Sequence, residues 1–440
     1  MSRRTLELLL LVLAGAAATV AYVSVYAARF HEVSRESILT GVFFVVLFVA
    51  LHVVERLWLP QADAYLLPIA ALLSAIGLAE IYRISPALAV KQGEWLVVGA
   101  VLFVATVLVV RDVRRLDTYR YLIGAVGLVL LAITIVVGTN VNGARLWIHV
   151  AGFSIQPSEF AKLAIVIFLA GYLNENKEML SLPTSRVLGV PVPPLKYFGP
   201  LLVMWVLSLL MLVFMKDFGM SLLFLATFVA MLYMATARIA YVIAGACLFA
   251  VGAAGAIQYV SHVHQRFAIW LDPWKTATTS GYQLLQSLFA MADGGVIGAG
   301  LGRGYLLYAN KVPTVPDLQT DFIFSAIANE LGLAGAAGLI LLYLLFSWRG
   351  FHIAVRAADG FSKLLAGGLA TVFGLQAFII IGGVTRLIPL TGITLPFVSY
   401  GGSSLTANLV LVALLLVVSH RNNVVEAGST TERLRLAEIA

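Results

Sequence analysis

The chain has 440 residues, of which 61% are apolar and only 12% charged, and its net charge is +7. A soluble domain carries about a quarter of its residues as charges, so a soluble enzyme, a disordered chain and a fibrous protein are excluded. What remains is an all-α polytopic membrane protein, whose basic excess suits loops facing anionic lipid heads better than nucleic acid.

A helix crosses the hydrocarbon core with about 20 apolar residues. Twelve such runs follow one another, at 6–28, 38–58, 64–82, 93–110, 119–138, 157–174, 197–214, 219–236, 239–258, 322–346, 363–384 and 402–419. Arg3 and Arg4 precede the first run, which is longer than a signal-peptide core and lacks a clear cleavage site, so it reads as a retained span. An even count puts both termini on one side. The cluster Arg111, Arg114, Arg115 and Arg120 then argues for N-in and C-in. Residues 1–60 hold the first two spans, 61–420 the rest, and 421–440 a short polar tail read as flexible. The one large loop, 259–320, falls outside. Its Tyr282, Leu285, Leu288 and Phe289 recur at helical spacing, which predicts an amphipathic helix on the membrane surface. Cys247 is the only cysteine, so neither an intrachain disulfide nor a cysteine-built metal centre is available.

Ionisable residues at membrane depth are costly and point to function. The sixth run opens Gln156-Pro157-Ser158-Glu159-Phe160-Ala161-Lys162. Proline suits a first helical position, an acid suits the positive end of the helix dipole, and Glu159 and Lys162 three apart share a face. Lys216-Asp217-Phe218-Gly219 interrupts two runs that otherwise almost merge, and Asp321 immediately precedes apolar residues, where partial desolvation would make it a stronger base. Each has a plainer reading: a local ion pair, a tight turn, an N-cap. Arg386 and the segment Leu395–Ser404, rich in glycine and serine, precede the last run, as a re-entrant loop or an anion cradle. Under the derived topology all of these emerge on the outer face. The cations Arg145, Lys162, Lys216, Arg266 and Arg386 would there meet an anionic head group. Glu159, Asp217 and Asp321 would supply a base, a metal ligand or ion pairs. The residues alone thus lead to an outer-leaflet site for a phosphate-bearing lipid. Other motifs fail: the glycines at 298, 300, 302 and 304 lack a βαβ context and read as a turn or helix break, and His262 and His264 lack a ligand set.

At these residues the sequence resembles the SEDS (shape, elongation, division and sporulation) family of RodA and FtsW. The resemblance is carried by Asn142–Ile148, Phe153–Leu163, Lys216–Gly219, Gln265–Phe267, Gly281–Gln283, Gly298–Gly304, Asp321–Leu333 and Leu387–Ser404, in that order. It implies a ten-helix core preceded here by two extra N-terminal helices. It also implies a multi-pass protein of the bacterial cytoplasmic membrane that polymerises lipid II beside a class B penicillin-binding protein, for elongation or division. By motif, Asp321 corresponds to the family's essential aspartate and Glu159 with Lys162 to its charged pair; Arg145, Asp217 and Ser403 fall in its other outer-face motifs, and Arg266 joins them as a substrate-binding cation. Where the family commonly has two adjacent acids, this chain has Asn329-Glu330. The expected reaction is an inverting glycosyl transfer with Asp321 as general base, and Lys162, Arg145 and Arg266 would stabilise the departing pyrophosphate. A divalent cation, magnesium or manganese, would share that task with Asp217 or Glu159 as ligand; no organic cofactor is implied. Two rival readings stand beside it: a lipid II flippase or transporter, and a non-catalytic scaffold of the cell-wall synthesis complex.

Overall fold

The computed structural model describes residues 3–32, 35–141, 144–150, 152–181, 185–187, 190–192, 194–304 and 314–439. Asn142 and Gly143 of the first motif, and residues 305–313 of the large loop, lie outside the described residues.

All twelve apolar runs fall on helices. The N-terminal hairpin is α1 (Arg3–Phe30) and α2 (Arg35–Trp58), followed by α3 (Leu66–Ile84), α4 (Pro86–Val109), the short α5 (Arg114–Thr118) and α6 (Arg120–Val137). Then come α7 (Pro157–Ser181), α8 (Leu195–Phe214), α9 (Phe218–Thr236) and α10 (Ile239–Tyr259). The large loop contains α11 (Ser261–Leu271) and α12 (Tyr282–Gly294), and the chain closes with α13 (Ile323–Val355), α14 (Gly360–Val384) and α15 (Gly402–Ile439). Among the described residues, ten helices are long and apolar enough to cross a membrane. The helices on the other two runs are α7, which carries Glu159 and Lys162, and α8. Packing is layered: α15 is buried over 94% of its most apolar stretch and α3 over 83%, whereas α10 is buried over only 6% and presents its side chains outward.

Three features depart from the sequence reading or add to it. The segment before α7 is a small antiparallel sheet, β1 (Thr139–Val141), β2 (Ala144–Val150) and β3 (Phe153–Ile155), with Asn140 opposite Arg145 and Ile148 opposite Ile155. Along β2 the aliphatic Leu146, Ile148 and Val150 take every second position, with Arg145, Trp147 and His149 between them, which is strand periodicity. A two-stranded ribbon, β4 (Ser185–Val187) with β5 (Val190–Val192), also separates α7 from α8. The second concerns α12, which forms where its apolar spacing predicts and is also docked on α13. Ser287 and Ser325 share a 2.5 Å hydroxyl contact, and Asn329 Nδ2 donates to Ala290 O at 2.9 Å. The third is the tail expected to be flexible: α15 continues through it as helix to Ile439.

The glycine-rich turn has a structural task. Helix α13 breaks at Gly332, whose φ of +65° only glycine adopts freely and where a Cβ would sit 2.4 Å from Gly298 N. Residues 295–300 occupy the break: Leu333 N donates to Gly295 O (2.9 Å), Ala334 N to Val296 O (3.1 Å) and Gly300 N to Glu330 O (2.9 Å). Broken helix backbone among apolar spans must be re-satisfied by protein. The Glu330 carboxylate accepts from Gly302 N and Gly304 N and pairs with Arg83 of α3, which also holds Glu80. This fixes the segment leading into α13 from three sides.

Candidate active site

One end of the bundle holds a cavity of about 1000 Å³ between the starts of α4, α7, α9, α13 and α15, roofed by β2, α11 and the 387–401 loop. Its wall carries Glu159, Asp217, Arg266 and Asp321, so four of the seven predicted site residues converge on one chamber. Lys91, Glu94, His149, Lys216, His262, Asp317 and Tyr400 complete its ionisable lining.

Asp321 lies just ahead of α13, half-buried and facing the cavity. Removal from water, reinforced by the nearby Asp317, pushes its carboxyl up to about 6, against the pull of Arg266 and of a Thr320 hydrogen bond. The Arg266 guanidinium comes from α11 and gives Nη1 to Leu390 O (3.1 Å) and Thr391 O (2.5 Å). Gly392, at φ +75°, lets these two groups converge: a Cβ there would lie 3.3 Å from Arg266 Nη2 and 3.5 Å from Asp321 Oδ2. The loop around them is tied down. Ser399 Oγ donates to Thr320 O, Tyr400 N to Gln319 O, and Gln92 bridges Ser399 O and Gly401 N. Lys216, Asp317, Arg386 and Phe397 all sit at positive φ in turns lining the cavity or in this loop. Such backbone strain gathers where surrounding packing over-determines a site.

Asp217 caps α9, accepting from Met220 N at 3.1 Å, and is buried. Burial pushes it up to about 6, opposed by that capping bond and helped by Glu159. Gln156 Nε2 reaches its other oxygen at 3.4 Å, and Gln156 N in turn donates to Ser403 Oγ at 2.8 Å. Ser403 therefore stands behind the wall and orients the β3–α7 junction. Glu159 accepts from Lys162 Nζ and faces Thr394 Oγ1 at 3.4 Å, while Lys162 also donates to Gln376 Oε1 at 2.7 Å. Both members of the pair are about 2% exposed, and Lys162 does not line the cavity.

Two expected cations are placed elsewhere. Arg145 is exposed on β2 outside the cavity lining, with Nη1 on Ile135 O. Arg386 closes the end of α11, giving Nε to Trp270 O and Nη2 to Leu271 O. The cations that do line the cavity are Arg266 and two exposed lysines, Lys91 and Lys216. Among the described residues no three His, Cys, Asp or Glu side chains are grouped to hold a metal ion. The acids instead stand apart along the wall, as pairs with neutral or cationic partners.

Comparison with known proteins is informative over most of the chain. The family model described as "Cell cycle protein", covering FtsW, RodA and SpoVE, matches residues 55–424. The chain belongs to the FtsW/RodA/SpoVE family. The match starts at the end of α2, so the N-terminal hairpin lies almost wholly before it. The chain is 40% identical over 433 residues to peptidoglycan glycosyltransferase RodA of Mycobacterium tuberculosis, covering 95% of this chain and 91% of that protein. Among solved structures it resembles a chain of a peptidoglycan synthase complex described as coordinating polymerization and crosslinking (TM-score 0.67, 27% identity, 82% of this chain and 98% of that one). It also resembles the rod shape determining protein RodA of Thermus thermophilus (TM-score 0.56, 27% identity, covering 82% and 97%).

Proposed function

We propose that the cavity is where a lipid-linked disaccharide is polymerised, with Asp321 as the general base. The chain is a multi-pass peptidoglycan glycosyltransferase of the cytoplasmic membrane, in line with relatives of that name at 40% identity across nearly its full length. The observation that carries the catalytic assignment is the half-buried Asp321 carboxylate, raised towards neutrality beside Arg266 in a chamber of about 1000 Å³. An acid poised near the working pH is an effective base.

In this reading Asp321 takes the proton of the acceptor sugar 4-hydroxyl. The freed oxygen attacks the donor's anomeric carbon with inversion, and the C1–O bond to the diphosphate breaks, its electron pair leaving with the polyprenyl diphosphate. Charge develops on that leaving group, and Lys91, Lys216 and Arg266 are the cations that face it. Asp217 holds the α9 turn and the Gln156 amide, and the buried Glu159–Lys162 pair fixes α7 against α14 and the 387–401 loop. A divalent cation, if one accompanies the substrate's diphosphate, would be held by Asp217 or Glu159 and would screen the leaving group's charge, since magnesium commonly binds through one or two carboxylates plus phosphate oxygens. No step is routed through it. In this reading lipid II is the substrate, a class B penicillin-binding protein the partner, and a topology of twelve spans with both termini inside would have the cavity open at the outer leaflet.

Polymerisation by the purified protein with lipid II, with and without a class B penicillin-binding protein, tests this directly. Wild type makes glycan strands, and Asp321→Ala reduces the yield by at least about a hundredfold, the usual contribution of a positioned base. Polymer from Asp321→Ala at the wild-type rate removes the base assignment. No polymer from a folded wild type under any condition turns the reading towards lipid transport, which a proteoliposome translocation assay decides.

A further inference from the structure

The opposite end of the bundle holds a second pocket, of about 210 Å³, that the glycosyl transfer does not use. From the break at Gly332 to Arg349, α13 alone runs about 25 Å at 1.5 Å per residue. Four segments converge on it: the start of α1 (Arg3, Leu6), the α2–α3 link (Asp63, Ala64, Tyr65), the last turns of α13 (Arg349, His352, Ile353, Arg356) and α15 (Ser419, Asn422, Asn423).

Its charge is one-sided. Three arginines and a histidine face a single acid, Asp63, which is already bound by Arg349 through Nε at 3.0 Å and through Nη2. The Arg349 guanidinium carbon lies over the Tyr65 ring, 4.7 Å from its centre. Arg3 gives Nη1 to Gln61 O at 3.2 Å, and Arg356 gives Nη2 to Glu426 Oε1 at 3.1 Å. A guanidinium has five N–H donors, so all three keep donor capacity for a further anion. The surroundings are those of a membrane interface. Trp348 (56% exposed), Phe351 and Val355 (76% exposed) face outward on the adjoining turns of α13, and Trp58 is exposed at the end of α2. Aromatic rings at this level mark the head-group zone, and basic pockets between helices there take anionic lipid heads.

We propose that this pocket binds the phosphate of an anionic phospholipid head group, with Arg3, Arg349 and Arg356 around the phosphate. Because Arg3 and Leu6 belong to α1 and the remaining lining to the α2–α3 link and the family core, the bound lipid fastens the N-terminal hairpin to the core. That gives the hairpin, which the family match barely reaches, a ligand-dependent contact of its own.

The test uses the full chain purified in a neutral detergent, with phosphatidylglycerol, phosphatidylcholine and inorganic phosphate titrated separately while melting is followed and retained lipid is counted by native mass spectrometry. Phosphatidylglycerol acts at concentrations at least about tenfold below phosphatidylcholine, and Arg3→Gln/Arg356→Gln weakens its effect about tenfold, as loss of charge-assisted bonds requires. Both arginines are exposed, and the melting temperature without lipid verifies that the variant folds. Arg111→Gln/Arg115→Gln, equally exposed but outside the pocket, controls for net charge and leaves the response intact. Equal response to phosphatidylcholine, wild-type binding by the pocket variant, or equal loss in the control overturns the site. Saturation by inorganic phosphate alone assigns the pocket to the free anion and overturns the lipid source.

Discussion

Two helices, α7 and α13, begin at the same cavity with an acid near their first turn, and the acids have opposite fates. Glu159 is 1% exposed, with Lys162 on one oxygen and Thr394 near the other. Among the described residues Asp321 faces the chamber without an ion pair, and the nearby Arg266 gives Nη1 to two backbone carbonyls. Both are acids of one bundle at one level, but Glu159 is withdrawn and paired, whereas Asp321 is half-buried and faces the chamber. The paired acid serves packing, and the unpaired one keeps a raised affinity for a proton that chemistry can use. Paired acids join helices elsewhere too: Arg4 with Glu7 and Glu55 links α1 to α2, and Arg83 with Glu80 and Glu330 links α3 to α13.

The largest effect should come from unpairing the closed site. Lys162→Met leaves Glu159 buried without its cation, and removing one partner of a buried pair costs about 3–5 kcal/mol. Melting of the purified protein reads this, and Glu159→Gln/Lys162→Met, which removes the stranded charge, recovers most of the loss. If Lys162→Met melts like wild type yet makes no polymer, Lys162 is a substrate contact and the contrast between the two helices fails.

How far the sequence reveals this contrast depends on what each residue signals locally. The helices on the twelve apolar runs are legible, because a run of apolar residues needs no partner to be recognised. Asp321, Asp217 and Glu159 are legible as chamber acids because charge at membrane depth is conspicuous, and the family motifs reinforce them. The role of Lys162 is not legible. Its spacing from Glu159 predicts their contact, but its withdrawal from the cavity depends on Gln376, 214 residues further along. Gln376 itself was open to notice as a polar side chain within an apolar run, as was Gln92 just before another. Lys91 and Glu94 carry no local signal, since a charged residue at a helix end is ordinary; only the folding of β2 and α11 over them makes them cavity lining. Arg386 misleads for the converse reason: its charge suggests a ligand, and its fork is taken up by the end of α11.

The open acid makes a sharper comparison through pH. Asp321 must be ionised to accept a proton, and its pKa is raised to about 6. Polymerisation per enzyme should therefore be level above that value and fall about tenfold per pH unit below it. Asp217 is pushed to a similar value by burial. If its ionised form is also required, the acid limb steepens towards a hundredfold per unit, and Asp217→Asn restores a single slope in whatever activity remains. A profile flat from pH 5 to 8 is incompatible with a carboxylate base of this kind.

The smallest effect belongs to the two exposed lysines, and it tells which moment of the reaction they serve. Lys91 and Lys216 line the chamber in contact with solvent, so screening limits each to a modest contribution. If they gather the diphosphate-bearing substrate, Lys91→Gln and Lys216→Gln each raise KM by about threefold to tenfold, leave kcat nearly unchanged, and flatten the dependence of kcat/KM on salt. If instead a lysine meets charge that appears only as the C1–O bond breaks, kcat falls and KM does not. The second outcome would move that lysine from gathering substrate to stabilising the leaving group. Arg266, half-buried and beside Asp321, would then share the transition-state charge with it, and the open side of the chamber would hold both the base and the cations that complete the transfer.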